Sequence, residues 1–289
     1  MVEFLHEVVF HSLLDTLKIL PFLFLTYLLM ECLEHRAGAS VQGFIRRAGR
    51  FGPLIGGAVG AVPQCGFSAA AAGLYAGRIL SMGTLVAVFL STSDEMLPLL
   101  ISGGTSADRI LLLIGVKAAI GIAVGFLVDA LVHRKEDICV DALCEQEGCH
   151  CERGVLRSAL RHTLHIGLFL LIVTVAIAAA VYCIGEDVLR GVLYDRPFVS
   201  HLIAVLVGFI PNCAASVALT ELYLGGFVTA GTLLSGLLPG AGVGVLVLLR
   251  VNKHRRENLL ILGILALTGL AVGLAFDLTG LSAALFAVG

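Results

Sequence analysis

The chain reads as an all-α integral membrane protein made of two inverted repeats of about five spans each, with broken or re-entrant helices. Three observations lead there. First, 58% of its 289 residues are hydrophobic, only 14% are charged, and the charges gather in short segments between apolar runs of spanning length. Second, Val59-Gly-Ala-Val-Pro-Gln-Cys-Gly-Phe-Ser68 recurs 148 residues later as Val207-Gly-Phe-Ile-Pro-Asn-Cys-Ala-Ala-Ser216, and positions 59–90 match 207–238 at 13 of 32 places without a gap. A shared apolar bias supplies Leu and Ala matches; it does not supply Pro63, Cys65, Ser68, Tyr75 and three glycines in register. Third, equivalent loops of the two copies differ in positive charge.

Taken in order, residues 8–32 form a first helical span with Pro21 inside it, which neighbouring helices in a membrane can accommodate. Residues 34–50 are a basic loop. Residues 51–78 are apolar, rich in Gly and Ala for close packing, and broken near Pro63. Residues 79–102 are apolar again, interrupted by 91–95 and by Pro98, and 110–132 form a span with Lys117 inside. The first repeat thus covers 1–132, a polar cytosolic linker 133–157, and the second repeat 158–289. The second copy brings apolar runs at 162–183, 198–223, 227–249 and 259–278, and a last one to 288.

The loop charges orient the copies. Loop 34–50 holds His35, Arg36, Arg46, Arg47 and Arg50, whereas 185–196 sets Glu186, Asp187 and Asp195 against Arg190 and Arg196. The nearly neutral 103–109 corresponds to a segment with Arg250, Lys253, Arg255 and Arg256. Positive loops stay in the cytosol, so the equivalent loops lie on opposite faces and each copy crosses an odd number of times. Five crossings per copy give ten, two in each copy short or re-entrant, with both termini outside and the linker in the cytosol of a plasma-membrane protein.

Several residues stand where lipid should exclude them. Asp94 and Glu95 lie inside the 79–102 run, where an acid costs several kcal/mol unless it faces a polar cavity; alternatively 91–96 is an interfacial turn. Ser91, Thr92 and Met96 beside them offer hydroxyl and thioether ligands, a set suited to a first-row divalent ion such as Mn²⁺. The twin elements Pro63-Gln64-Cys65 and Pro211-Asn212-Cys213 mark helix breaks at equivalent places, the usual sign of a transporter's midplane site. Gln64, Asn212, Ser68 and Ser216 add neutral oxygens; Cys65 and Cys213 add thiols that suit a soft metal or arsenite, or serve as small packing residues. Lys117 is either a buried counter-ion or an interfacial side chain that snorkels. The linker gathers Cys139, Cys144, Cys149, His150 and Cys151, a thiolate and imidazole set able to hold an accessory metal.

The Pro-Gln-Cys-Gly-Phe-Ser segment, Leu90-Ser-Thr-Ser-Asp-Glu-Met-Leu-Pro98 and the second-copy Pro-Asn-Cys resemble the ten-span heavy-metal exporter family. Its members are labelled arsenic efflux proteins or manganese transporters. The resemblance runs over essentially the whole chain and implies a secondary transporter that moves a metal or metalloid out of the cytosol.

The expected activity is export of a divalent ion, Mn²⁺ first, by alternating access. The rivals are arsenite efflux through Cys65 and Cys213, and an organic-anion carrier with Lys117 in its site. No metalloprotease helix, nucleophile elbow or phosphate loop is present in the sequence, so no enzyme is expected. No cofactor is implied beyond the ion as substrate. The partners are the lipid bilayer and that ion; a net charge of −2 points away from nucleic acid, and homo-oligomers are allowed.

Overall fold

The computed structural model describes residues 51–62, 65–92, 96–132, 197–211 and 213–282, with separate positions between 13 and 49 and between 156 and 179. Among these residues the regular structure is helical, without a strand. The first half contains α1 (Gly52–Gly60), α2 (Cys65–Ala76), α3 (Met82–Ser91), α4 (Met96–Ser102) and α5 (Ala107–Leu131). The second contains α6 (Pro197–Gly208), α7 (Cys213–Leu224), α8 (Ala230–Leu237), α9 (Val243–Val251) and α10 (Arg255–Leu278).

The 148-residue offset of the sequence carries over to the helix ends. It separates both ends of α2 and α7, and the starts of α3 and α8 and of α5 and α10. The local chemistry repeats with it. Ser81 caps α3 by accepting the Thr84 N–H at 3.1 Å, and Thr229 caps α8 by accepting the Thr232 N–H at 3.0 Å. Asp129, on α5, anchors the first cap: its carboxylate accepts from Ser81 Oγ at 2.7 Å and from the Gly83 N–H at 2.8 Å.

Each half packs as a three-helix unit, α1, α3 and α5 in one and α6, α8 and α10 in the other. Every residue of α3 and of α8 is buried, so these two are the central helices, covered on all sides. The halves exchange their remaining elements. α2 packs against α9 of the second half, and reciprocally α7 packs against α4 of the first.

α5 and α10 are, among the described residues, the helices long and apolar enough to cross a membrane; α3, most of α6 and most of α7 are shorter apolar helices. The buried side of α5 is Ile110, Leu113, Lys117, Gly121, Gly125 and Val128, whereas Leu111 and Leu131 stand 70% and 74% exposed on the face left for lipid. α10 repeats this with Asn258, Ile261, Leu265, Gly269 and Gly273 inside. Two inward glycines on each helix, Gly121 and Gly125 on α5 and Gly269 and Gly273 on α10, allow the close backbone approach common between packed membrane helices.

The structure corrects several expected boundaries. The apolar run 227–249 is two helices, and Pro98 lies in the first turn of α4, where its missing N–H costs nothing, instead of interrupting it. α5 and α10 begin at Ala107 and Arg255, before their apolar runs, because polar residues occupy their first turns. Arg250 belongs to the last turn of α9, so the basic segment 250–256 is mostly helix ends around a three-residue turn at 252–254. That turn is closed by two side chains: Asn252 Nδ2 donates to Asn258 Oδ1 at 2.7 Å, and Asn258 Nδ2 donates to the Asn252 carbonyl at 2.9 Å.

Candidate ion site at the junction of the two halves

Four helix C-termini meet at the centre. The last residue of α1, Gly60, lies against the end of α3 so closely that a Cβ there would stand 2.1 Å from Ser91 Oγ and 2.6 Å from the Val88 carbonyl. In the second half the last residue of α6, Gly208, touches the end of α8, where a Cβ would lie 2.0 Å from the Gly236 carbonyl. Glycine is what allows each pair of helix ends this approach. The carbonyls in the last turn of a helix lack intrahelical donors and carry its negative partial charge.

Lys117 bridges the two pairs. Its side chain, 1% exposed, reaches from the middle of α5 and donates through Nζ to the Thr92 carbonyl at the end of α3 and, at 3.1 Å, to the Leu237 carbonyl at the end of α8. The snorkelling alternative is therefore corrected: the ammonium is buried on carbonyls of both halves, not at the interface. The equivalent position on α10 is Leu265, 0% exposed. An apolar residue thus fills the same place in the other copy, so packing alone does not call for a charge.

Of the other expected site residues, Ser68, Ser91, Thr92 and Met96 are buried to between 0% and 3% exposure. Ser91 Oγ donates to the Ala87 carbonyl at 2.7 Å and Thr92 Oγ1 to the Val88 carbonyl at 2.8 Å, so their hydrogens go to their own helix. Ser68 sits at the contact between α2 and α9, where a Cβ on Gly244 would stand 2.8 Å from its own Cβ. Ser216 is half-buried on α7, the helix packed against α4, whose first residue is Met96. Gln64, Asp94, Glu95 and Asn212, the side chains of Cys65 and Cys213, and the linker residues Cys139, Cys144, Cys149, His150 and Cys151 lie outside the described residues. What the structure brings together is their surroundings, since the ends of α1 and α3 that lead into 61–64 and 92–95 are in contact.

A second connection between the halves was not evident in the sequence. Tyr75 OH donates to Glu257 Oε2 at 3.0 Å; Arg78 donates to the same oxygen at 3.3 Å and to His254 Nδ1 at 3.1 Å. Arg78 holds a left-handed φ of 61°, where its counterpart in the second half is Gly226 with a φ of 73°. A non-glycine residue there costs about 1–2 kcal/mol, which the bonds of its side chain to α10 offset. The counterpart of Glu257 is Arg109, so the equivalent acid is absent from the other half. Arg78→Gly is expected to move the thermal midpoint by no more than about 4 °C, because relief of the strain offsets a part-exposed ion pair worth roughly 1 kcal/mol or less. Hydrogen exchange in residues 74–80 should rise all the same, as the tie to α10 is lost.

A cleft of about 530 Å³ lies at the same end of α10, lined by Arg250, Asn252, Lys253 and Arg255 among others. Three cations in its wall make it a poor seat for a metal ion. Among the described residues no group of three or more His, Cys, Asp or Glu is placed to hold a metal.

One family model matches the chain, over residues 5–193 and so over more than half of its length; its description is "Putative, 10TM heavy-metal exporter". No curated protein and no solved structure matches it.

Proposed function

The chain belongs to the 10TM heavy-metal exporter family, and from that premise we propose that it exports a divalent cation, Mn²⁺ first, from the cytosol as a secondary transporter. The observation that carries the cationic substrate is the ammonium of Lys117 held on carbonyls of both halves, where the ends of α3 and α8 meet. A site that accepts one cation so far from water is built for cations.

In this reading Asp94 and Glu95 supply the charge, and Gln64, Asn212, Ser68, Ser91, Thr92 and Ser216 the neutral oxygens. Lys117 is a tethered cation: it holds the carbonyls when no ion is bound and yields them when one arrives. The two halves are inverted repeats, ten crossings in all, with both termini outside and the linker in the cytosol. Rocking of one half against the other alternates access, and the Tyr75–Arg78–Glu257 tie is broken on one swing. The linker thiols Cys139, Cys144, Cys149 and Cys151, with His150, are an accessory metal-holding segment. The second reading, arsenite or another soft ion on Cys65 and Cys213, keeps the fold and exchanges the ligands.

Uptake into inside-out vesicles tests both, with Mn²⁺, Zn²⁺, Cd²⁺ and arsenite offered to the parent, Asp94→Asn, Glu95→Gln and Cys65→Ser proteins. The expected result is Mn²⁺ uptake that survives Cys65→Ser and falls at least about tenfold in the acid variants, as for loss of a metal's ligand shell. Acid variants at the parental rate sink the assignment of the site. Arsenite or Cd²⁺ flux lost with Cys65 moves the substrate to the thiols. No flux of any of the four leaves an organic-anion carrier.

A further inference from the structure

A buried imidazole and a half-buried carboxylate stand together at the far end of α10 from its basic start. His201, in the first turns of α6, is 1% exposed. Its Nε2 lies 3.1 Å from Asp277 Oδ2, and its Nδ1 lies 2.8 Å from Ser235 Oγ on α8. Thr229 Oγ1 donates to the same Asp277 oxygen. The other carboxylate oxygen, Oδ1, is buried with no donor in hydrogen-bonding geometry among the described residues, and the Ser282 hydroxyl stands beside the carboxylate.

Comparison of the two halves shows what has been added. Asp129 and Asp277 are equivalent, as are Ser81 and Thr229, and Gly83 and Gly231. In the first half both Asp129 oxygens are spent on the cap of α3. In the second, the Gly231 N–H goes to Ser282 Oγ at 3.2 Å instead. His201 and Ser235 take the places of Pro53 and Ala87. A helix cap needs neither of them, since the first half builds the same cap without them. The second half has therefore acquired an imidazole, with a hydroxyl to orient it, against a carboxylate beside the Ser282 hydroxyl. Among the described residues of α6, α8 and α10, the elements packed together here, His201 and Asp277 are the titratable groups at this end, with the hydroxyls of Ser235, Thr229 and Ser282 around them.

We propose that His201 and Asp277 form a proton-binding site that loads and releases one proton in the transport cycle. Unloaded, the imidazole is neutral, donates Nε2–H to Asp277 Oδ2 and accepts the Ser235 hydroxyl at Nδ1; the pair carries one negative charge. Loading adds a proton at Nδ1, the Ser235 hydroxyl turns to accept it, and the pair becomes neutral. Histidine is the side chain whose ordinary titration range lets it do this near neutral pH. On the inverted topology this end faces outside, where a proton enters in exchange for an outgoing ion. The exchange rests on the transport reading; the proton site does not.

Two measurements on the full-length protein separate them. In metal-free purified protein with ¹⁵N-labelled histidine, one imidazole should take up a proton over an acid titration range. Its signals should vanish in His201→Gln, and its midpoint should move in the milder Ser235→Ala. A His201 ring that keeps one tautomer over that range overturns the proposal. In proteoliposomes carrying a pH-sensitive dye, a Mn²⁺ gradient should drive protons through the parent and through Asp129→Asn, and at least about tenfold fewer through His201→Gln and Ser235→Ala. Parental proton movement in both variants overturns the role in exchange. A parent that moves no metal removes the transport reading and leaves the imidazole titration to decide the site.

Discussion

Lys117→Met is expected to tighten metal binding and slow transport. The substitution keeps length and volume and, with Leu265 at the equivalent place, replaces charge with what the other half already tolerates. It leaves the Thr92 and Leu237 carbonyls without their present donor, at about 1–3 kcal/mol each. It also removes a buried cation whose desolvation costs several kcal/mol, so stability should change little. Binding should change much more. An ammonium about 4 Å from a divalent ion opposes it by roughly 8 kcal/mol at an effective dielectric constant of about 20, of which local rearrangement returns a large part. Calorimetry on purified protein should therefore show Mn²⁺ affinity raised at least tenfold, about 1.4 kcal/mol. Vesicle uptake should fall by a similar factor, because the tethered cation no longer displaces the ion. Unchanged affinity would place the ion away from Lys117 and sink this part of the mechanism.

Gly125→Leu and Gly273→Leu should each cost about 3 kcal/mol or more and most of the folded yield. A Cβ at Gly125 would stand 2.6 Å from the Gly83 carbonyl and 2.9 Å from Pro53 Cβ; at Gly273 it would stand 1.8 Å from Ser235 Oγ and 2.4 Å from the Gly231 carbonyl. Backbone cannot move aside as a flexible side chain can, so the cost lies at or beyond the upper end of ordinary overpacking. Gly115 and Gly263 sit on the same two helices with nothing within 4 Å of a built Cβ, so leucine there should behave like the parent. Thermal unfolding of all four variants in detergent gives the comparison. Equal midpoints would mean that α5 and α10 do not hold α3 and α8 as closely as described.

The class of the protein was legible from composition, because a membrane helix must be apolar along its length and 58% hydrophobic residues in long runs leave few alternatives. The duplication was legible because proline, cysteine and glycine positions are constrained by backbone geometry and so stay in register. The helix pair within 227–249 was not separated in advance, since apolar content is the same on both sides of the turn and only hydrogen bonding decides where a helix ends. The buried place of Lys117 was one of two open readings. Which applied depended on what faced the middle of α5, and that is a property of its neighbours.

The sequence by itself determined that the chain is a membrane protein of two related halves, that the 59–68 and 207–216 segments are the equivalent special places, and that charge near 94–95 has no counterpart in the second half. Those follow from local chemistry: hydropathy, backbone-restricting residues and the cost of charge in lipid. Tertiary structure decided that the ends of α1, α3, α6 and α8 converge, that Lys117 binds carbonyls of both halves, and that Asp129 and Asp277 share one cap while His201 and Ser235 join only the second. Each of these joins residues between 25 and 120 positions apart, a separation bridged only by the packing of whole helices, whose pairing no local pattern encodes.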